Sequence, residues 1–407
     1  MGLYTYFLVQ SDLFPARIQD MDVAAGVCAC TAILVLVLTS SRVVSHWNYR
    51  LFYTSHVVLS SLMVALLFLH THHIRKYVVE MLAARVLDEL LRRSGTRTFC
   101  GTIDLLPGTN LVRITVPLPS WRDARAFKPG QHVHLGRPPL GRTSAGWASD
   151  AAARWRRNPF TVASLPGRDR GLLLVARTRR GGTARLAAVA RWAALEADRR
   201  IPLSIEGPYG RPLESAALLD CDHVLVVAGG VGATFGLPVF RSLAAARKRG
   251  AGDVEVERGG GGGGGRLSFV WAVRHLAEAS WAFPKESERS EQPSLLGMDE
   301  EVTLYVTGRA GGDNAVVDAS LLGGLELGER DEGLPEQQLQ RDAQGSVVKL
   351  GRPCLRSIVD QTFAAASGRV AVVVCGPDAM VEELRACVNN WRTKGRHVLW
   401  HAEKFTQ

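Results

Sequence analysis

The chain has 407 residues, 46% of them hydrophobic and 22% charged, enough apolar material for two or three buried cores and too much for a disordered protein. Forty-nine Lys and Arg against 39 Asp and Glu leave a net charge of +10, which suits phosphate-bearing ligands, anionic lipid or nucleic acid without choosing among them. Its seven cysteines (28, 30, 100, 221, 354, 375, 387) form no C-x-x-C pair and argue against both a zinc cluster and a disulfide scaffold.

Residues Val23 to Ser41 carry no charge and, at 1.5 Å per residue, make about 28 Å of helix, the hydrocarbon thickness of a bilayer. Leu51 to His70 is a second such run. The residues before Val23 lack the basic start, apolar stretch and small-residue site of a cleaved signal, so both runs read as spanning helices in contact with membrane lipid. A third candidate, Ile74 to Leu91, contains Arg75, Lys76, Glu80, Arg85, Asp88 and Glu89. It reads either as a polar last span or as an amphipathic helix on the membrane surface.

From about Arg97 the pattern changes to short β-branched runs separated by Gly and Pro: Leu111 to Val116, Gln131 to Leu135, Phe160 to Ala163, Leu172 to Ala176 and Ile201 to Ile205. That predicts an antiparallel barrel or sandwich over residues 96–218. After Asp220 strands and helices alternate: strand His223 to Ala228, helix Thr234 to Arg249, strands Ser268 to Val273 and Val302 to Thr307, helix Leu355 to Ala366, strand Val370 to Cys375, helix Ala379 to Trp391 and a last strand near His397 to Trp400. This predicts a doubly wound parallel sheet over 219–407. Gly-rich and polar insertions interrupt it at about 254–266, 285–301 and 311–351 and read as flexible surface segments.

The strongest phosphate signal is the strand V-L-V-V-A running into Gly229-Gly230-Val231-Gly232-Ala233-Thr234 and a helix. Glycines let the backbone approach a pyrophosphate, and the helix start supplies N–H donors. A tight βα turn explains the same glycines, but the position at the first strand of an alternating domain favours a dinucleotide. The barrel offers a second set: Asn158-Pro159-Phe160-Thr161 with Ser164, then Arg177 with Gly182-Thr183, then Glu206-Gly207-Pro208-Tyr209-Gly210. An aromatic and hydroxyls at one strand edge, with a Gly-Thr helix start, suit a flavin ring and a diphosphate. Singly these read as a core Phe, a helix start and a turn.

Six segments in this order carry a resemblance: P-G-Q-H-V-H-L (129–135), N-P-F-T-V-A-S (158–164), E-G-P-Y-G (206–210), A-G-G-V-G-A-T-F (228–235), F-V-W-A-V-R (269–274) and V-C-G-P (374–377), with a terminal H-A-E-K-F. Together they resemble the fungal ferric-chelate reductases, relatives of the NADPH oxidases, from Arg42 onwards. The resemblance implies membrane helices, a β-barrel FAD-binding domain and an α/β doubly wound, ferredoxin-reductase-like NADPH-binding domain. It also implies electron flow from NADPH to FAD, then singly through two haems b to a ferric chelate or another acceptor. Phe160, Thr161 and Ser164 would lie along the flavin with Pro159, and Gly182 and Thr183 at its diphosphate. Gly229, Gly230, Gly232 and Thr234 would hold the NADPH pyrophosphate, and Cys375, Gly376 and Pro377 would flank the nicotinamide. Phe405 resembles the terminal aromatic that covers the flavin. One departure is Asn158, where the family has His: Asn keeps a hydrogen-bonding side chain and cannot become cationic.

Arg274 ends the second strand of the nucleotide domain, where a doubly wound fold meets the adenosine ribose, and its guanidinium suits the 2′-phosphate of NADPH. Arg309 is placed to share that role. His56 and His70 are 14 residues apart, on one helical face and about 21 Å apart along the axis, the spacing for one haem near each leaflet. His72 and His73 read as interfacial, either being an alternative to His70. The family takes its second imidazoles from an earlier helix, and Val23 to Ser41 contains no His. The chain therefore corresponds to the family from its fourth span, either natively shortened or as an incomplete chain, and homo-oligomer formation stays open.

The expectation is a multi-pass membrane flavoprotein, at the plasma membrane, with cytosolic reductase domains that Arg92, Arg93 and Arg97 would hold on the inner side. Arg75 and Lys76 then fall on the outer side, against that tendency. The wording of F-V-W-A-V-R and A-G-G-V-G-A-T-F resembles the metalloreductase branch. Two rivals are a short NADPH diaphorase using quinone or soluble acceptors and a non-catalytic membrane subunit. Nucleic acid binding is disfavoured: the 13 Arg between Arg154 and Arg211 are dispersed over strand edges and turns, without a basic stripe and stacking aromatics.

Overall fold

The computed structural model describes residues 6–7, 9–11, 14–136, 159–169, 171–179, 181–195, 199–213, 215–254, 265–282, 301–308, 340–341 and 347–404. The chain divides into two units, Met1–Gly95 and Thr96–Gln407.

The first unit is helical: α1 (Met21–Thr39), α2 (Tyr49–His70) and α3 (His72–Gly95). Asn48 Oδ1 accepts from Leu51 N–H at 3.1 Å and so caps the start of α2. The buried residues of α1 are small (Ala25, Gly26, Ala29, Ala32), while Leu34 and Leu38 are exposed. Small residues let helices approach closely, and bulky apolar ones left outside suit lipid. Met21–Thr39 and Leu51–His70 are long and apolar enough to cross a bilayer. α3 is not among them: it carries the exposed ion pairs Arg85–Asp88, Arg92–Asp88 and Arg93–Glu89.

In the second unit, strands β1 (Arg97–Leu105), β2 (Leu111–Pro117), β3 (His132–Gly136), β4 (Pro159–Thr161), β5 (Gly171–Arg177) and β6 (Arg200–Tyr209) form an antiparallel sheet in the order β4-β3-β6-β1-β2-β5. A bridge between Val162 and Leu174 joins its two ends, closing a barrel around Ile114, Val133, Val162, Leu172 and Leu174. Helix α4 (Gly182–Ala193) packs Ala187 and Ala190 onto that core.

A second sheet follows: β7 (His223–Gly229), β8 (Arg266–Val273), β9 (Glu301–Val306), β10 (Gln340–Arg341), β11 (Val347–Leu350), β12 (Val370–Cys375) and β13 (Val398–Glu403), in the order β10-β11-β9-β8-β7-β12-β13. All its pairs are parallel except β10–β11. Alternate residues of β7 and β12 feed two cores. Val224, Val226, Ala371 and Val373 face the side of α5 (Ala233–Val254), and Leu225, Val227, Val370 and Val372 face α6 (Leu355–Ala365) and α7 (Asp378–Thr393). Burial on both faces is why these strands read as unbroken apolar runs. Leu111, Ala163 and Val175 of the barrel join the α5-side core, so barrel and sheet share one apolar junction.

One expectation needs correction. Val347–Leu350, assigned above to a flexible insertion, lies in the sheet, parallel to β9 with Val348 opposite Leu304. Four residues with β-branched character suffice to add an edge strand to an existing sheet. Residues 255–264, 283–300, 309–339 and 342–346 lie outside the described residues.

Candidate functional site

The carboxyl ends of β7 and β12 lie side by side, with Cys375 opposite Ala228. The sheet order reverses there: the chain builds outwards from β7 through β8 and β9, then returns to the other flank with β12 and β13. Loops diverge at such a reversal, and open α/β sheets bind ligands in the resulting crevice. Both turns there require glycine. A Cβ on Gly229 would stand 2.7 Å from Cδ of Pro377, one on Gly376 would stand 3.1 Å from the Gly229 nitrogen, and one on Gly232 would overlap the Cys375 carbonyl. Gly230 has φ 55°, in the left-handed region.

The two turns therefore meet backbone to backbone. Trp271 Nε1–H donates to the Gly230 carbonyl at 3.0 Å, and the Thr234 hydroxyl donates to the Val231 carbonyl at 2.9 Å. Thr234 is buried, so its hydroxyl shapes the turn. Gly230, where a Cβ would meet only Arg177 Nη2 at 3.5 Å, leaves side-chain-free backbone ahead of the amino end of α5, and that fits a dinucleotide pyrophosphate. Arg274 closes β8 with an exposed side chain, on the strand next to β7.

Cys375 is 1% exposed, and burial, with the Glu403 carboxylate adding to it, pushes its thiol up to about 12. It is a neutral thiol beside the crevice. Glu403 lies in register with Cys375 on β13, and His401 Nε2 is 3.5 Å from Glu403 Oε2, its ring stacked on Phe235 at 5.7 Å. Phe405, Asn158 and Arg309 lie outside the described residues.

Strand alternation sorts the flavin-side residues. On β4, Pro159 and Thr161 turn outwards, whereas Phe160 is buried in the barrel core with Val133 opposite it. Its ring packs with the barrel core. Ser164 is also internal: its hydroxyl donates to the Gly171 carbonyl at 3.0 Å and accepts from Leu173 N–H at 2.9 Å.

Register brings His134 opposite Pro159 and His132 opposite both Thr161 and Tyr209. The rings of His134 and Tyr209 meet at 5.3 Å, and the Tyr209 hydroxyl donates to Glu206 Oε1 at 2.6 Å. Gly207 and Pro208 lead β6 into Tyr209, and Gly207 has φ 133° with the His132 carbonyl 3.3 Å from where its Cβ would be. This strip of rings and hydroxyls across β4, β3 and β6 fits a planar aromatic ligand. The amino end of α4 fits a diphosphate: Gly181 has open space around it and Gly182 carries no side chain. The Thr183 hydroxyl accepts from Arg179 N–H at 2.8 Å. His132 and His134 have an alternation signal in P-G-Q-H-V-H-L that sequence reasoning passes over.

Arg177, grouped above with the flavin-side residues, reaches the glycine turn after β7. Its Nη2 lies 3.5 Å from the Cβ position of Gly230 and 3.1 Å from Glu278 Oε1. In the helical unit, His56 Nδ1 is 3.3 Å from Oγ of Ser40, the residue that follows α1, and His70 Nδ1 is 2.7 Å from the carbonyl of Asp22 in α1.

Comparison with known proteins matches residues 1–74 to the ferric reductase like transmembrane component, 99–213 to an FAD-binding domain and 221–389 to the ferric reductase NAD binding domain. A probable metalloreductase of Meyerozyma guilliermondii is 23% identical over 96% of this chain and 70% of its own length. A probable ferric reductase transmembrane component of Candida albicans is 26% identical over 74% of this chain and 40% of its own length. The ferric/cupric reductase transmembrane component 2 of Saccharomyces cerevisiae is 25% identical over 94% of this chain and 50% of its own length. The chain thus spans about half the length of two of these relatives and most of the third.

Proposed function

The chain belongs to the ferric reductase family, and from that premise we propose that it is a membrane-bound enzyme that draws electrons from NADPH and delivers them through FAD to ferric chelates. The observation that carries the reading is the pair of glycine turns where β7 and β12 diverge: Gly229, Gly232 and Gly376 let the two turns pack backbone to backbone, and a Cβ on Gly230 would meet only Arg177 Nη2, at 3.5 Å. Bound FAD supplies the conversion of a two-electron hydride into single-electron transfers.

The protein's own residues bind and orient. The turn after β7 and the start of α5 hold the dinucleotide pyrophosphate, with Gly376 and Pro377 closing the other side. Arg274 takes the 2′-phosphate. Pro159 and Thr161, with His132, His134 and Tyr209, form the platform for the flavin ring, and the amino end of α4 takes its diphosphate. Cys375 and Glu403 flank the nicotinamide, the neutral thiol offering bulk without charge. Helices α1 and α2 anchor the protein in the plasma membrane, and Arg92 and Arg93 at the end of α3 favour cytosolic reductase domains.

Haem b is the finer part of this reading. Helix α2 carries His56 and His70, and His72 and His73 open α3, whereas each six-coordinate haem would take two imidazoles on opposite sides of the iron. A homo-oligomer in which a second copy supplies imidazoles would show a sharp bis-histidine band lost on dissociation.

The test is purification in mild detergent. The preparation should be yellow, release FAD on denaturation, and oxidise NADPH with a ferric chelate as acceptor. A colourless preparation, or one that holds FAD and does not oxidise NADPH with any acceptor, sinks the reading.

A further inference from the structure

The turn from Gly229 to Thr234 contains no charged residue, yet the proposed ligand brings two phosphate charges to it. The cation beside the turn comes from the other domain: Arg177, at the end of barrel strand β5, reaches Gly230. Arg177 Nε is buried and donates to no acceptor among the described residues, while one Nη is engaged by Glu278. A buried guanidinium N–H without an acceptor marks a place where an oxygen is missing.

Glu278 is itself only 7% exposed, in the turn Leu276–Ala282 that follows β8, beside the buried Ala279, Trp281 and Ala282. Its Oε1 takes Arg177, and its Oε2 accepts from Arg274 N–H at 3.2 Å. One carboxylate therefore ties the end of a barrel strand to the end of β8, with Arg177 standing over the glycine turn between them.

We propose that Glu278 is a positioning residue for the dinucleotide diphosphate: it aims the barrel's Arg177 at the Gly230 turn and, by its own negative charge, holds the affinity of that site down. The proposal rests on the nucleotide-binding reading above. It assigns Arg177 to a diphosphate, a group that FAD and NADPH share, and commits to the one on the Gly230 turn. Aim and attenuation predict opposite outcomes for two substitutions. Glu278→Gln keeps an oxygen acceptor in the same place for Arg177 and removes the charge that repels phosphate, so it should tighten binding. Glu278→Ala removes the anchor and should weaken it.

The experiment is titration of NADP⁺ and NAD⁺ into detergent-solubilised, FAD-loaded protein, with bound FAD measured in parallel. Glu278→Gln should lower the Kd of both nucleotides by roughly threefold or more, equally for the two because the diphosphate is common to them. Arg177→Ala should raise both by on the order of tenfold or more, the scale of a lost charged hydrogen bond. Glu278→Gln added to Arg177→Ala should then give no tightening. Glu278→Gln and Glu278→Ala weakening binding alike, with a lowered Tm, would assign Glu278 to the fold and overturn the proposal. So would loss of FAD from Arg177→Ala with unchanged NADP⁺ affinity, which would give Arg177 to the flavin. Wild-type protein that holds FAD and binds neither nucleotide would instead sink the nucleotide reading itself, and this proposal with it.

Discussion

Gly232 lies so close beneath the Cys375 carbonyl that a Cβ on it would overlap both carbonyl atoms, whereas a Cβ on Gly230, two residues earlier, would meet Arg177 Nη2 at 3.5 Å. The two glycines of one turn thus answer different demands. Gly232→Ala forces apart the turns after β7 and β12 and should cost about 3 kcal/mol or more, the scale of severe core overpacking. Gly230→Ala meets only the left-handed φ of 55°, at about 1–2 kcal/mol. Gly230→Val should in addition weaken NADPH binding and leave bound FAD unchanged, since the flavin platform is on the barrel. Thermal melts and flavin content of the three variants check this ordering.

Arg241 on α5 and Asp169 beside β5 form a two-pronged ion pair, 2.7 Å at each contact, with side chains only 7% and 12% exposed. Asp169 Oδ2 also accepts from Leu165 N–H at 2.7 Å. The pair joins barrel to nucleotide sheet, and removing one partner strands a charge away from water. Arg241→Ala or Asp169→Asn should each cost about 3–5 kcal/mol, while Arg241→Met with Asp169→Leu should recover most of that loss. Unfolding in detergent followed by tryptophan fluorescence distinguishes the cases. Equal losses for the single and double variants would show that packing, and not the stranded charge, sets the cost.

Much of this fold was legible because its signals are local. The spans of α1 and α2 follow from uncharged runs, and the parallel sheet from apolar strands alternating with helices. The glycine turns were legible as motifs, although only the register of β7 against β12 explains why Gly232 and Gly376 must both lack side chains. The motif N-P-F-T gives the order of residues and not which face of β4 each one takes, so the burial of Phe160 beside outward-turned Pro159 and Thr161 had no signal in it. Arg177 and Glu278 are 101 residues apart, and no pattern in either segment announces that they meet. The same holds for Arg241 and Asp169, where the partners lie in different domains.

His223 supplies a pH test. It is buried at the start of β7, Nε2 2.8 Å from Ser268 Oγ, and the Ser268 hydroxyl donates to Glu301 Oε2 at 3.3 Å. Burial, with Arg266 and Arg247 adding to it against Glu301, holds its pKa below the usual 6.5. The unfolded chain therefore binds a proton there more readily than the folded one. His223 contributes its full stability above pH 6.5 and loses it as pH falls below that value. Against His223→Gln, the wild-type Tm should fall more steeply between pH 7 and about 5.5, with a difference of up to one proton, about 1.4 kcal/mol per pH unit. Parallel curves would show that His223 titrates normally in the fold.

The role proposed for Arg274 in cofactor choice has a direct test. Its backbone N–H is fixed by Glu278, yet its side chain is exposed at the carboxyl end of β8, the strand beside the glycine turn. In doubly wound sheets that strand end meets the adenosine ribose, where an acidic residue would bind a free 2′-hydroxyl and a guanidinium pairs with a 2′-phosphate. Lys would keep the charge and lose the planar fork. Arg274→Ala should therefore lose on the order of 1.5–3 kcal/mol in kcat/KM with NADPH, the scale of a charged hydrogen bond, and almost nothing with NADH. Arg274→Lys should fall between them. The pattern differs from that expected of Arg177, whose removal should weaken both cofactors alike because the diphosphate is common to them. Steady-state kcat/KM for NADPH and NADH in wild type, Arg274→Ala and Arg274→Lys decides the matter, and equal losses for the two cofactors would mean that Arg274 supports the end of β8 and does not read the phosphate.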